Sequence, residues 1–151
     1  MARLPLPGLL DGLRRGGVVQ GVSAALTAGG VTRTDAVIVD GDLGVARALA
    51  AAGWNVATVA SGKAVKRAPT PIEALPTTRA VAAVVACGLG ATDPGPACGA
   101  VRDGGVVVLV GRGVAATASR AALVAGLAEI EQRSVGAIRI TSGLVTDWTR
   151  R

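Results

Sequence analysis

Apolar positions along the chain fall into two rhythms. Ala36–Val39, Ala80–Cys87 and Val106–Val110 are continuous apolar runs. Runs of that length, with β-branched residues, predict strands buried on both faces. Trp54–Ala60 reads as a further strand of the same set. Between these runs lie alanine- and leucine-rich stretches bounded by glycine or proline. Val45–Ala52 reads as a helix closed by Gly53, Asp93-Pro94 opens a helix that runs to about Val101, and Ala118–Leu127 reads as the last helix. Asp is favoured as an N-cap and Pro at the first helical position. Ahead of these, Leu9–Arg15 is a short helix stopped by Gly16-Gly17, and Val18–Ala28 is a second one ended by Gly29-Gly30, a C-cap signal. Ala128–Val135 and Ala137–Leu144 are separated only by Gly136 and read as two strands pairing in an antiparallel hairpin.

Strands alternating with helices imply right-handed crossovers and a sheet covered on both faces. The expected fold is α/β, a single Rossmann-like domain with a mostly parallel sheet, an antiparallel C-terminal strand and helices on both faces. It spans 1–151, with an N-terminal helical segment at 1–30 and the α/β core at 35–148. Asp103-Gly104-Gly105 is expected to turn the chain into Val106, and the connection through Pro69 and Pro71 to be a basic loop.

Composition narrows the chemistry. The chain of 151 residues is 50% apolar but has no His, Phe or Tyr, and Trp54 and Trp148 are its only aromatics. Without histidine there is no imidazole base, no histidine metal ligand and no Ser-His-Asp triad. Without a set of aromatics there is no stacking platform for single-stranded nucleic acid. The net charge of +6 comes from arginines scattered along the chain, so a nucleic-acid partner is not expected. Cys87 and Cys98 are too few and too far apart for a zinc site or a disulfide framework. Cys87 ends an apolar run and reads as a buried, reduced thiol. No stretch reaches the length of a membrane span, and a cytoplasmic protein is expected.

The sequence VIVDGDLGVARALAAAGWNVATVAS, followed by PIEALP and AVAAVVACGLGATDPGPACGAVRDGGVVVLVGRG, resembles class I S-adenosylmethionine-dependent methyltransferases, particularly their small type-11-like branch. LVAGLAEIEQ is similar to that family's turn into its sixth strand. The resemblance runs from about Leu26 to Trp148 and implies the family's fold. Its cofactor positions are altered. Val39 stands where the family's first strand carries an acid, and Leu43 replaces the middle glycine of the loop. Ala60 stands for the ribose-binding acid, Pro71 for the adenine-contacting Asp, and Ala82 for the Asp that opens the fourth strand. Charge-assisted hydrogen bonds are each worth about 1.5–3 kcal/mol, so losing several would carry a micromolar site toward millimolar.

The expectation drawn from these losses is a non-catalytic, methyltransferase-like protein with no cofactor, no metal and no catalytic residue. It would act as a self-associating or protein-binding structural subunit. The alternative is a divergent methyltransferase that uses S-adenosylmethionine, with Asp40, Gly41, Asp42, Gly44 and Ser61 at the cofactor. Asp40 and Asp42 have two readings, as contacts to the cofactor or as caps of the helix that begins near Gly44. Self-association is expected through the C-terminal strands. Ala137–Leu144 is read as the sheet edge, with Arg139 as its only charge and Trp148 as an anchor. Light scattering at tens of micromolar tests this: a homo-oligomer is expected, and a monomer would refute it.

Overall fold

A computed structural model describes residues 7–112 and 115–146. Helix α1 (Pro7–Ala28) leads into β1 (Ala36–Asp40), α2 (Leu43–Ala51) and β2 (Asn55–Val59). A 3₁₀ turn at Gly62–Arg67 precedes β3 (Pro71–Ile72) and β4 (Val81–Cys87). A second 3₁₀ turn at Gly88–Ala91 leads to α3 (Gly95–Ala100), β5 (Val101–Arg112), α4 (Ala115–Val124), β6 (Ala128–Val135) and β7 (Ile138–Leu144). The seven strands form one sheet in the order β3-β2-β1-β4-β5-β7-β6. Strands β3, β2, β1, β4 and β5 run parallel, and β7 runs antiparallel to both β5 and β6. This is the single α/β domain, with a mostly parallel sheet, that the alternation of strands and helices predicts.

Two apolar layers hold the sheet, as side-chain alternation requires. Val37, Val39, Val85, Val106 and Val108 pack with α1 and α2 on one face. Ile38, Val84, Val107 and Leu109 pack with α3 and α4 on the other. Every residue of β4 is buried, which fits a central strand covered on both sides. Trp54, 4% exposed, ties the first layer together. Its Nε1 donates to Ser23 Oγ of α1 at 3.1 Å, and Arg33 lies 3.8 Å over its ring. Among the described residues no helix is long and apolar enough to cross a membrane.

Several expected boundaries are corrected. Gly16-Gly17 does not divide the first helix, because α1 is continuous from Pro7 to Ala28. Its glycines serve close packing instead. A Cβ on Gly17 would sit 2.7 Å from Val135 Cγ1, and one on Gly21 2.5 Å from Ile140 Cδ1. A Cβ on Gly29 would run into Val106 Cγ2. With buried Ala25, these positions recur every fourth residue and make one smooth stripe along α1. The helix propensity lost at each glycine, about 1 kcal/mol, is offset by bringing the helix axis down onto the sheet.

The turn expected at Asp103-Gly104-Gly105 lies inside β5, which starts at Val101 and shifts register against β4 between Val81 and Ala83. Helix α3 is only six residues long, and Asp93 bonds the Gly95 N–H from one position ahead of the cap. The hairpin of β6 and β7 forms as expected, turning at Gly136 with a φ of +60°. The sheet edge does not lie where it was expected. β7 is internal, paired on both sides, and β6 is the edge. That edge carries Glu129, Glu131 and Arg133 and a register irregularity between Ala128 and Glu131. Charge and a bulge both oppose edge-to-edge pairing, so association through β7 loses its structural basis. Trp148 lies outside the described residues.

The glycine stripe makes a paired prediction. Gly21→Val should destabilise the fold by about 1–3 kcal/mol through overpacking against Ile140. Gly16→Ala, whose Cβ meets nothing within 4 Å, should stabilise it by about 0.5–1 kcal/mol. Urea midpoints of the two variants check this; equal shifts would show that α1 does not rest on the stripe.

Candidate functional site

Strand order reverses between β1 and β4. Ligands of open α/β sheets bind at such a switch, outside the carboxyl ends of the strands. Here β1 ends at Asp40 and β4 at Cys87, and Gly41 makes the turn between β1 and α2. Gly41 has a φ of +93°, and a Cβ there would collide with the Cys87 carbonyl oxygen. Only glycine fits, for its left-handed backbone and for its closeness to the neighbouring strand.

Asp42 is the N-cap of α2. Its Oδ1 accepts the Val45 N–H at 3.0 Å, so the capping reading holds for this residue. Asp40 is different. It is half-buried at the end of β1, and among the described residues its carboxylate makes no hydrogen bond or ion pair. Gly44 sits in the first turn of α2, and Ser61 at the exit of β2, where it precedes a 3₁₀ turn without capping it. Chain topology therefore brings Asp40, Gly41, Asp42 and Gly44 to one turn, with Ser61 on the adjacent strand.

The altered family positions do not all lie at this edge. Val39 is fully buried beneath α1 and α2. Ala82 is the second residue of β4, at the amino end of that strand and away from the switch. Ala60 and Pro71 do lie at the carboxyl edge, where the Ala60 N–H donates to the Ile72 carbonyl at 3.1 Å. Leu43 opens α2, half-buried and packed in neither apolar layer.

Cys87 is 4% exposed. Burial, and behind it the negative charges of Asp42 and Asp40, push its thiol up to about 12. A thiol in that state is neither nucleophile nor metal ligand at neutral pH. Cys98 is buried as well, and both cysteines are reduced thiols.

Beside the switch, a cavity of about 490 Å³ opens over the carboxyl ends of β4 and β5, against α4. Leu109, Gly111, Ala118 and Ala121 give it apolar walls, and Arg112 and Arg139 line it as well. Sequence reasoning missed this cavity. Its arginines lie far apart in the chain and come to the same end of the sheet because β7 runs antiparallel, pairing Gly111 with Arg139 and Arg112 with Ile138.

Comparison with known proteins gives a consistent picture of the fold. Solved structures of methyltransferases align over most of the chain. Magnesium protoporphyrin IX methyltransferase from Synechocystis, with bound SAM, matches with a TM-score of 0.68 at 15% identity, covering 97% of this chain and 86% of that one. A TehB-like SAM-dependent methyltransferase from Corynebacterium glutamicum matches at 0.56 and 15% identity, over 82% of this chain and 86% of the other. The Thermus thermophilus 16S rRNA N2 G1207 methyltransferase, in complex with AdoMet and guanosine, matches at 0.55 and 18% identity, over 79% of this chain and 37% of that one. No family model and no curated protein sequence matches the chain.

The chain thus has the class I S-adenosylmethionine-dependent methyltransferase fold. The expectation of no cofactor is corrected: proteins that share this fold hold S-adenosylmethionine in their solved structures. That expectation rested in part on Val39 and Ala82, and neither of them lies at the open carboxyl rim. One lies in the core and the other at the far end of its strand.

The state of Cys87 can be tested by labelling. In the folded protein iodoacetamide should leave Cys87 unmodified at pH 8, and unfolding in guanidinium should expose it to reaction. Below pH 9.0, the thiol's ordinary value, folded and unfolded chains both keep the proton. Above it the unfolded chain releases the proton first, so this group lowers stability as pH rises toward about 12. Rapid modification of folded protein would show that the β1–β4 edge opens.

Proposed function

We propose that the chain is a divergent S-adenosylmethionine-dependent methyltransferase, with its cofactor lying across the carboxyl ends of β1 and β2. The observation that carries this reading is the free carboxylate of Asp40 at the topological switch. S-adenosylmethionine carries two positive centres, its ammonium and its sulfonium. A half-buried carboxylate with no partner among the described residues suits a cation. The residues present therefore fit the amino-acid end of the cofactor. At the ribose end the usual acid is absent, and the Ser61 hydroxyl is the polar group available on the β2 exit.

When bound, the cofactor supplies an electrophilic methyl group. The chain's own contribution is position and charge. Gly41 holds β1 close to β4 and keeps the turn low. Asp42 fixes the start of α2. Asp40 orients the cationic end. Cys87 keeps its proton and takes no methyl group. Without histidine or tyrosine, the protein relies on placing a nucleophilic acceptor in line, and such alignment alone is worth orders of magnitude in rate.

Calorimetry tests the reading. S-adenosylmethionine should bind with a dissociation constant below about 100 μM, and Asp40→Asn should weaken it at least about tenfold, the worth of one charge-assisted hydrogen bond. Absence of heat at millimolar cofactor with folded protein would overturn the proposal. Unchanged affinity in Asp40→Asn would remove Asp40 from the site.

A further inference from the structure

The cavity against α4 has a composition the cofactor does not explain. Its walls are apolar, and no residue lining it is acidic. Two of the residues lining the hollow are arginines, Arg139 on the face of Gly111, its pairing partner, and Arg112 at the open end of β5. The ion pairs among the described residues join Arg102 to Asp35 and Arg133 to Glu131. Neither involves Arg112 or Arg139. Arg139 is half-buried, and its Nη1 donates to the Gly136 carbonyl at 3.1 Å. That bond holds the side chain in place without neutralising it, and among the described residues it engages one of the five N–H donors. A charge fixed beside low-dielectric walls attracts an opposite charge more strongly than one in open water.

The volume suits a drug-sized molecule. Gly111 forms part of the lining, and a Cβ there would stay 3.8 Å from Ala91 Cβ. The hollow is thus kept roomy by small residues and not by a gap in packing.

We propose that this cavity binds an apolar monoanion, its acid group held by Arg112 and Arg139 and its hydrophobic body lying against Leu109, Ala118 and Ala121. The inference deepens the methyltransferase reading and, where it names the acceptor class, rests on it: the methyl acceptor is an apolar acid. The binding site itself stands on the cavity alone. A nucleic acid is a poor match, since its phosphates would need cations on an open surface and its bases would need aromatic partners.

The test uses a matched pair of fluorescent probes, pyrenebutyrate and pyrenebutanol, titrated into the full chain with fluorescence anisotropy as the readout. The acid should bind at least about tenfold tighter than the alcohol, as a charge-assisted contact to arginine implies. Arg139→Gln and Arg112→Gln should each remove most of that preference while leaving the alcohol's affinity unchanged. Ala118→Phe should fill the cavity and abolish binding of both, with a melting curve showing that the variant is folded.

Equal affinity for acid and alcohol, no binding of either probe, or arginine variants that keep the preference would each overturn the proposal. S-adenosylmethionine titrated into the same arginine variants separates the two ideas. If the acid binds and the cofactor does not, the anion site stands and the acceptor assignment falls with the methyltransferase reading. If the cofactor binds and the acid does not, the methyltransferase reading stands and the anion site falls.

Discussion

The contact on which the rest of the molecule depends is the approach of Gly41 to the carbonyl of Cys87. It sets how closely β1 and β4 lie at the point where the strand order reverses. Any side chain at Gly41 would push these ends apart, and a φ of +93° already excludes most residues. Because β1 and β4 sit at the centre of the sheet, that spacing is passed to both faces. Val39 and Val85 then meet beneath α2 on one side, and Ile38 and Val84 pack on the other. The same contact leaves Asp40 at the rim, where its carboxylate finds no partner among the described residues.

The two faces of the sheet are closed to different degrees. On the first, α1 is drawn down by its small-residue stripe and latched by Trp54 to Ser23. On the second, the coverings are short: α3 has six residues and α4 ten. Short helices leave the carboxyl ends of β4 and β5 only partly roofed, and the cavity lies there. A tightly closed face and a loosely closed one share one rigid floor. This division suits a protein that must hold a site in place while admitting a ligand beside it.

Much of the fold was legible because most strands announce themselves as buried apolar runs and most helices are punctuated by glycine. β1, β2, β4, the β6–β7 hairpin and the α/β alternation all follow from that pattern. β3 was not legible: it is two residues long, begins with proline, and exists only as an edge added to β2. The break at Gly16-Gly17 was misread because local propensity says nothing of the sheet below. There, Val135 and Ile140 leave room only for glycine. At the site, the turn from Asp40 to Gly44 and Ser61 beside it could be placed from sequence. The significance of Ala82 could not, because linear order does not say which end of a strand faces the ligand. Arg112 and Arg139 were invisible as a pair for the same reason that β7 was misread as an edge. Their arrival at the same end of the sheet is a property of strand order.

Strand order also gives the carboxyl rim an electrical direction. Asp40 and Asp42 stand at the end of β1, and Arg112 at the end of β5, with β4 between them. Neighbouring strands are about 4.8 Å apart and rise about 3.3 Å per residue, and Arg112 lies beyond Leu109, the β5 residue level with Asp40, so the acidic and basic ends are separated by roughly 14 Å. Opposite charges at that spacing attract weakly across water and gain little from each other. Each is therefore free to take a ligand of the opposite sign. A cationic methyl donor would be drawn to the β1 end and an anionic acceptor to the β5 end, with β4 lying under the gap between them. On that proposal the same polarity would keep the two ligands from exchanging places and bring their reacting ends over one strand. Cys87 terminates that strand with its thiol protonated and buried. The gap is thus floored by a group that would not compete for a methyl group.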